Sequence, residues 1–377
     1  MKNLLVGNGI NIQFSKNDYT TQQIVLRILK NFDREDFPLK IIIDTPYLMR
    51  NYLGVLFLEV RNIIDGKYDK LTVCDDEWES LKAFKKRYKN RLKTLKMTDV
   101  GFEDYYLIHD LMCHKLNVQN PEQYNIRESM RLSFLYSIYN DGALNQLYNK
   151  YPVKFVDYLK QFNNIFTTNY DSNIESATGM IVFHLHGQFD KKRDIYIESS
   201  FRNQLPDKPI KNIIIDDNFF YLYSNALSTH CGAYKEFLIK ESVSANSCIS
   251  AFAEVYKTDA KAKEDIDNWI NDKNHLVANL GAAIKIKAQN PTWAFSEDYH
   301  FDKFCSITGT LDILGLSPCN DFHIFESIDQ SKISKCVYYY FNESECGKIS
   351  ELLPILKRKN MIEFKPVIGF WRDIAEK

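Results

Sequence analysis

Three short stretches carry side chains whose types and spacing suit chemistry: VGNGIN at residues 6 to 11, FTTNYD at 166 to 171 and FHLHG at 183 to 187. Each closes a short apolar run and so reads as the end of a buried strand. A glycine turn after such a strand lets the backbone approach a pyrophosphate, and amides at a following helix start can hold its charge. The third glycine of G-x-G-x-x-G is absent, with Ile12 in its place. An amide (Asn169), a carboxylate (Asp171) and an imidazole (His186) beside a phosphate cradle suit attack at the sugar of a nucleotide. Cleaving the bond between ribose and nicotinamide develops positive charge on the sugar. Such a site needs one group to fix the ribose, one to hold the leaving amide, and a base. Histidine, with an ordinary pKa of about 6.5, suits the last role. The plainer alternatives stay open at this stage: a structural glycine turn, Asn169 and Asp171 capping the next helix, and His186 as a satisfied strand-end histidine. His184 and His186 form half of a zinc pattern, but no nearby Cys or His supplies a third ligand. The sequence therefore offers no metal site, and His184 is expected to be buried and hydrogen-bonded.

For these side chains to meet, their strands must end on one edge. A hairpin of NNIFTT (163–168) with MIVFHLH (180–186) would put Asn169 and His186 at opposite edges. The roughly 12 residues between them instead suffice for a short right-handed parallel crossover. NLLVG (3–7), TLDILGLS (310–317) and CVYYYF (336–341) read as further buried strands, with a helix starting near NDFHIF. A helix opens at Thr20, where T-T-Q-Q offers a capping box with Gln23 and Ile24, Val25, Ile28, Leu29 and Phe32 recur at helical spacing. Residues 45–160 are mainly helical in pattern. Between 190 and 300 the pattern is mixed, with DIYIES and NIIID as strands and 264–286 as helix. The expected fold is α/β: a Rossmann-like open, mostly parallel sheet with helices on both faces. It forms a single domain over residues 1–377, with a helical insertion at about 45–160 and a mixed insertion at about 190–300.

The 377 residues carry a formal net charge of -1, which singles out no electrostatic partner. Residues 81–96 form a basic amphipathic pattern, read as a solvated face rather than a nucleic-acid site. The eight cysteines are scattered without a C-x-x-C pair, which fits reduced thiols and argues against a disulfide framework or a zinc ribbon. The first residues lack the long apolar region of an export signal, and no run approaches the roughly 18 apolar residues of a spanning helix. A cytoplasmic protein without membrane contact is expected.

At the residues quoted above the chain resembles the sirtuin-like family, and especially its bacterial members in phage defence. VGNGIN resembles the family's G-A-G-I-S turn, TTNYD its T-Q-N-I-D, HLHG the segment ending in its catalytic His-Gly, and ILGLSPCNDFHIF its later cofactor-contacting strand and turn. The resemblance implies NAD as substrate. Gly7, Asn8, Gly9, Asn11 and Thr168 would line its pyrophosphate and ribose site, with Gly315 and Ser317 at the adenosine half. Asn169 would hold the ribose or a water, Asp171 would face the nicotinamide pocket, and His186 would be the base. The paired C-x-x-C zinc module of the protein deacylases is missing, as is their G-I-P-D-F-R segment, so deacylation is not expected. The expected activity is that of an NAD glycohydrolase releasing nicotinamide and ADP-ribose, in antiviral defence by NAD depletion. Partners implied are a phage-derived or protein activator and a homo-oligomer or defence complex. Abortive-infection proteins with a G-N-G start and an H-x-H-G segment are a second resemblance. The rival class is a non-catalytic module that binds NAD or ADP-ribose or assembles with a partner.

Overall fold

The computed structural model describes residues 1–120, 122–193, 195, 216–229, 233–240, 242–272, 275–319 and 321–375. Six strands form one sheet: β1 (Lys2–Val6), β2 (Asn164–Thr167), β3 (Val182–His184), β4 (Thr308–Leu314), β5 (Lys332–Tyr340) and β6 (Ile362–Pro366). The order is β3-β2-β1-β4-β5-β6 and every pairing is parallel. This is the strand order of the doubly wound Rossmann architecture, in which the chain reverses direction across the sheet between β1 and β4.

The near-continuous apolar runs follow from burial on both faces. Leu5 of β1 packs with Phe166, Leu311, Ile313 and the helices Phe322–Gln330 and Ser344–Leu352. Its neighbours Leu4 and Val6 turn to the other face, against helices Val153–Leu159 and Val367–Ala375. Asn3 is the polar exception within β1. It donates to the carbonyls of Thr308 and Thr310 at 2.8 and 2.9 Å and accepts from Asn164 at 2.9 Å, which pins the central strand to both neighbours. The crossover from β2 to β3 runs through the short helix Asn173–Thr178, so the ends of β1, β2, β3 and β4 share one edge.

Helices Thr21–Asn31, Pro46–Ile64, Asp75–Tyr88, Phe102–Leu116 and Glu122–Tyr139 enclose a core of their own, including Leu53, Leu56, Val60, Phe84, Tyr106 and Phe134. A smaller cluster joins Ser242–Thr258, Ala260–Trp269 and His275–Gln289 around Ile249, Ala253, Tyr256, Ile266 and Ile284. The single helix expected over 264–286 is thus two helices. The helix after Thr20 starts where expected, but the Thr20 side chain makes no capping hydrogen bond. Strand β6 has no counterpart in the sequence reading, because IEFKP is short and carries two charged residues in five, as suits a sheet edge. The strands expected at DIYIES and NIIID fall largely outside the described residues. Among the described residues, no helix is long and apolar enough to cross a membrane.

Candidate functional site

At the end of β1 the glycines are required by the neighbouring strand. Gly7 N–H donates to the Leu314 carbonyl at 3.0 Å, and Gly9 N–H donates to that of Gly315 at 2.8 Å. A Cβ on Gly7 would lie 2.5 Å from the Gly315 oxygen, and one on Gly9 would lie 2.6 Å from the Gly315 Cα. Gly315 itself sits at φ +71, in the left-handed region. Backbone packing between the β1 and β4 turns therefore accounts for all three glycines, and the Gly7 and Gly9 amides are already engaged. Asn8 and Ser317 are exposed on this edge and Thr168 is half-buried, while the Asn8 amide donates to the Tyr19 carbonyl at 2.9 Å.

The end of β2 is tied to this turn. Asn169 is buried, and its side-chain amide lies 3.4 Å from the Gly7 carbonyl. Asp171 is buried with both oxygens engaged: Oδ2 accepts from Asn11 at 2.7 Å, and Oδ1 accepts from the Asn173 side chain at 2.6 Å and backbone at 3.2 Å. Burial raises its pKa, and the bonds from Asn11 and Asn173 oppose that rise. Asp171 thus acts as an internal brace between the β1 turn and the helix after β2. Asn11 has its Oδ1 buried without a hydrogen-bond partner.

The two histidines at the end of β3, His184 within it and His186 in the turn that follows, differ sharply. His184 places Nδ1 2.9 Å from the Asn169 carbonyl and Nε2 2.6 Å from Glu175. Both neighbours are oxygens able to accept, which favours the form with hydrogen on both ring nitrogens. Burial opposes that charge, but Glu175 outweighs it and the His184 pKa is raised. His184 is therefore the buried, hydrogen-bonded histidine that was expected. It also fixes the backbone that carries Asn169.

His186, two residues on, is buried, and its carbonyl accepts from Leu227 N–H at 2.8 Å. The next residue must be glycine: Gly187 sits at φ +74, and a Cβ there would lie 2.3 Å from the Asn225 oxygen. The His186 imidazole faces residues from the far side of β1. Its Nε2 lies 3.7 Å from Asp321 Oδ1, and its ring centroid is 6.0 Å from that of His323. Asp321 stands at the N-terminus of helix Phe322–Gln330, yet its side chain does not cap that helix. Its Oδ1 instead takes the Lys235 ammonium at 3.2 Å, and Lys235 also meets Glu103 at 3.0 Å. Burial, reinforced by Lys235, pushes the His186 pKa well below the ordinary value. Burial likewise lowers that of His323, to about 4. Burial would raise the Asp321 carboxyl, but Lys235 and the two imidazoles hold it down to about 2. The result is two neutral imidazoles beside one carboxylate.

The sheet edge thus gathers Gly7, Gly9, Gly315, Asn11, Asn169 and Asp171 on one side and His186 with Asp321, His323 and Lys235 on the other. Among the described residues no hydrogen bond joins the Asn169 and His186 side chains. Asp321, His323 and Lys235 went unrecognised as site residues in the sequence. The only available signal was the D-x-H spacing in NDFHIF, read there as a helix start. Fold and edge together define an α/β protein of Rossmann strand order with a polar, partly titratable carboxyl edge. Compared with protein-family models, with curated proteins and with solved structures, the chain finds no match.

Proposed function

We propose that the chain is an NAD glycohydrolase, releasing nicotinamide and ADP-ribose, and that it serves antiphage defence by NAD depletion. One observation carries the reading: the Asn169 amide at the glycine turn and a neutral His186 at the end of the adjacent strand, both on the carboxyl edge of a sheet in Rossmann order. In such sheets this edge is where nucleotides bind. The motif resemblance to sirtuin-like defence proteins supplies the substrate.

The bond between ribose C1′ and the nicotinamide nitrogen breaks with its electron pair going to the nitrogen, leaving C1′ electron-poor. Water adds at C1′ and its proton passes to His186, which can accept it because its imidazole is held neutral. The Asp321 carboxylate, 3.7 Å from Nε2, stabilises the imidazolium so formed. Asn169 orients the ribose or the attacking water. Asp171 acts as a positioning residue through Asn11 and Asn173.

His186→Ala and Asn169→Ala are each expected to lower nicotinamide release by at least about 100-fold, the lower range for a positioned base, with unchanged circular dichroism. Substantial turnover in both folded variants would reject these roles. One observation favours binding without turnover, as in a module for NAD or ADP-ribose: His186, the proposed base, is buried. NAD incubation with and without a candidate phage-protein trigger separates the two, since a binding module retains NAD affinity and releases no nicotinamide under any trigger.

A further inference from the structure

We infer that His186, Asp321 and His323 form a binding site for a divalent transition-metal cation of the zinc class. One ligand atom from each lies within 4.8 Å of the others, and all three residues are buried. Nε2 of His186 and Nε2 of His323 are both buried without a hydrogen-bond partner. Leaving a buried polar atom unsatisfied is costly, so two imidazole nitrogens left bare around one carboxylate call for a shared partner. One water could donate to both nitrogens but would have no hydrogen left for the carboxylate, whereas a cation draws two lone pairs and a carboxylate oxygen to one point.

The charge balance agrees. Glu103, Lys235 and Asp321 together carry one net negative charge beside the two imidazoles. Lys235 is held between two carboxylates, so its ammonium does not leave the cluster positive. Two imidazole nitrogens and one carboxylate oxygen are a ligand set for zinc or another first-row divalent ion with an open position, and unsuited to calcium or magnesium. Zinc bound at about 2.0–2.2 Å holds neighbouring ligand atoms about 3.4 Å apart. The His186 to Asp321 separation of 3.7 Å is already close to that.

The test uses the full chain, stripped with a chelator and dialysed against micromolar Zn²⁺. One equivalent is expected. Asp321→Asn and His323→Ala should each weaken binding by at least about 100-fold, since even outer-shell partners carry about 10–100-fold. His300→Ala, a histidine outside the cluster, should keep it. Should either variant fail to fold, Co²⁺ added to the unaltered protein gives a second readout, with visible bands of nitrogen and oxygen ligation that Zn²⁺ erases. Absence of a stoichiometric site, or full binding by both folded variants, overturns the inference. Binding is read without turnover, so it is decided separately from the hydrolase reading. One nitrogen cannot hold a metal and take a proton, so stripped protein should release nicotinamide faster than loaded protein. Stoichiometric binding with no release from either form under any trigger would remove the hydrolase reading and leave the metal site standing.

Discussion

Gly9 shows how one residue can carry two meanings. Its place after a buried strand suits a phosphate cradle, whereas its observed duty is to let the β1 turn lie against Gly315. The two duties separate on substitution. Gly9→Ala should destabilise the fold by about 1–3 kcal/mol, as overpacking against rigid backbone does, seen as a lower urea midpoint. Unchanged stability with lost NAD affinity would mean that ligand approach alone demands glycine there. The histidines make the same point through environment. Placed two apart at the end of one strand, His184 has its pKa raised by Glu175 against the pull of burial, and His186 has its pKa pushed down by burial and Lys235. Residue type and spacing cannot tell them apart, because the decisive partners arrive from other elements.

Among the elements, the strands were the most legible. NLLV, NIFT, VFH and TLDIL are apolar enough that only burial on both faces suits them, and their spacing left parallel crossovers as the economical connection. Strand β6 and the break between helices Ala260–Trp269 and His275–Gln289 were not legible. An edge strand needs only one apolar face, and the interruption does not disturb helical spacing. The helical layer holds a titratable tie of its own, where His114 Nε2 meets Glu77 at 3.0 Å between helices Phe102–Leu116 and Asp75–Tyr88. The Glu77 hydrogen bond raises the His114 pKa above 6.5, with burial opposing. The protonated form therefore favours the folded state. This contribution is fully present below the unfolded pKa of about 6.5 and is lost as pH rises through the folded value. His114→Gln should remove that slope from a plot of stability against pH, at a cost of about 1 kcal/mol or less on the acidic side. An unchanged slope would deny the pair its role.

At the scale of the whole molecule, Lys235 joins three parts of the chain: helix Ala233–Lys240, helix Phe102–Leu116 through Glu103, and the start of helix Phe322–Gln330 through Asp321. Lys235→Ala would remove the ammonium that both the Glu103 and the Asp321 carboxylates meet. The expected loss is about 3–5 kcal/mol, measured by chemical unfolding; a loss well under 1 kcal/mol would show that the ion group does not tie these parts together. The sequence alone determined the α/β class, the parallel sense of the strands and the polar ends that share an edge. Those features follow from local apolar patterning and from connection lengths, both of which are written along the chain. Only the tertiary structure decided what His186 faces. Lys235 and Asp321 stand 86 residues apart and Lys235 and Glu103 stand 132 apart, and no local period records that the two sides of a sheet will bring such side chains within hydrogen-bonding reach.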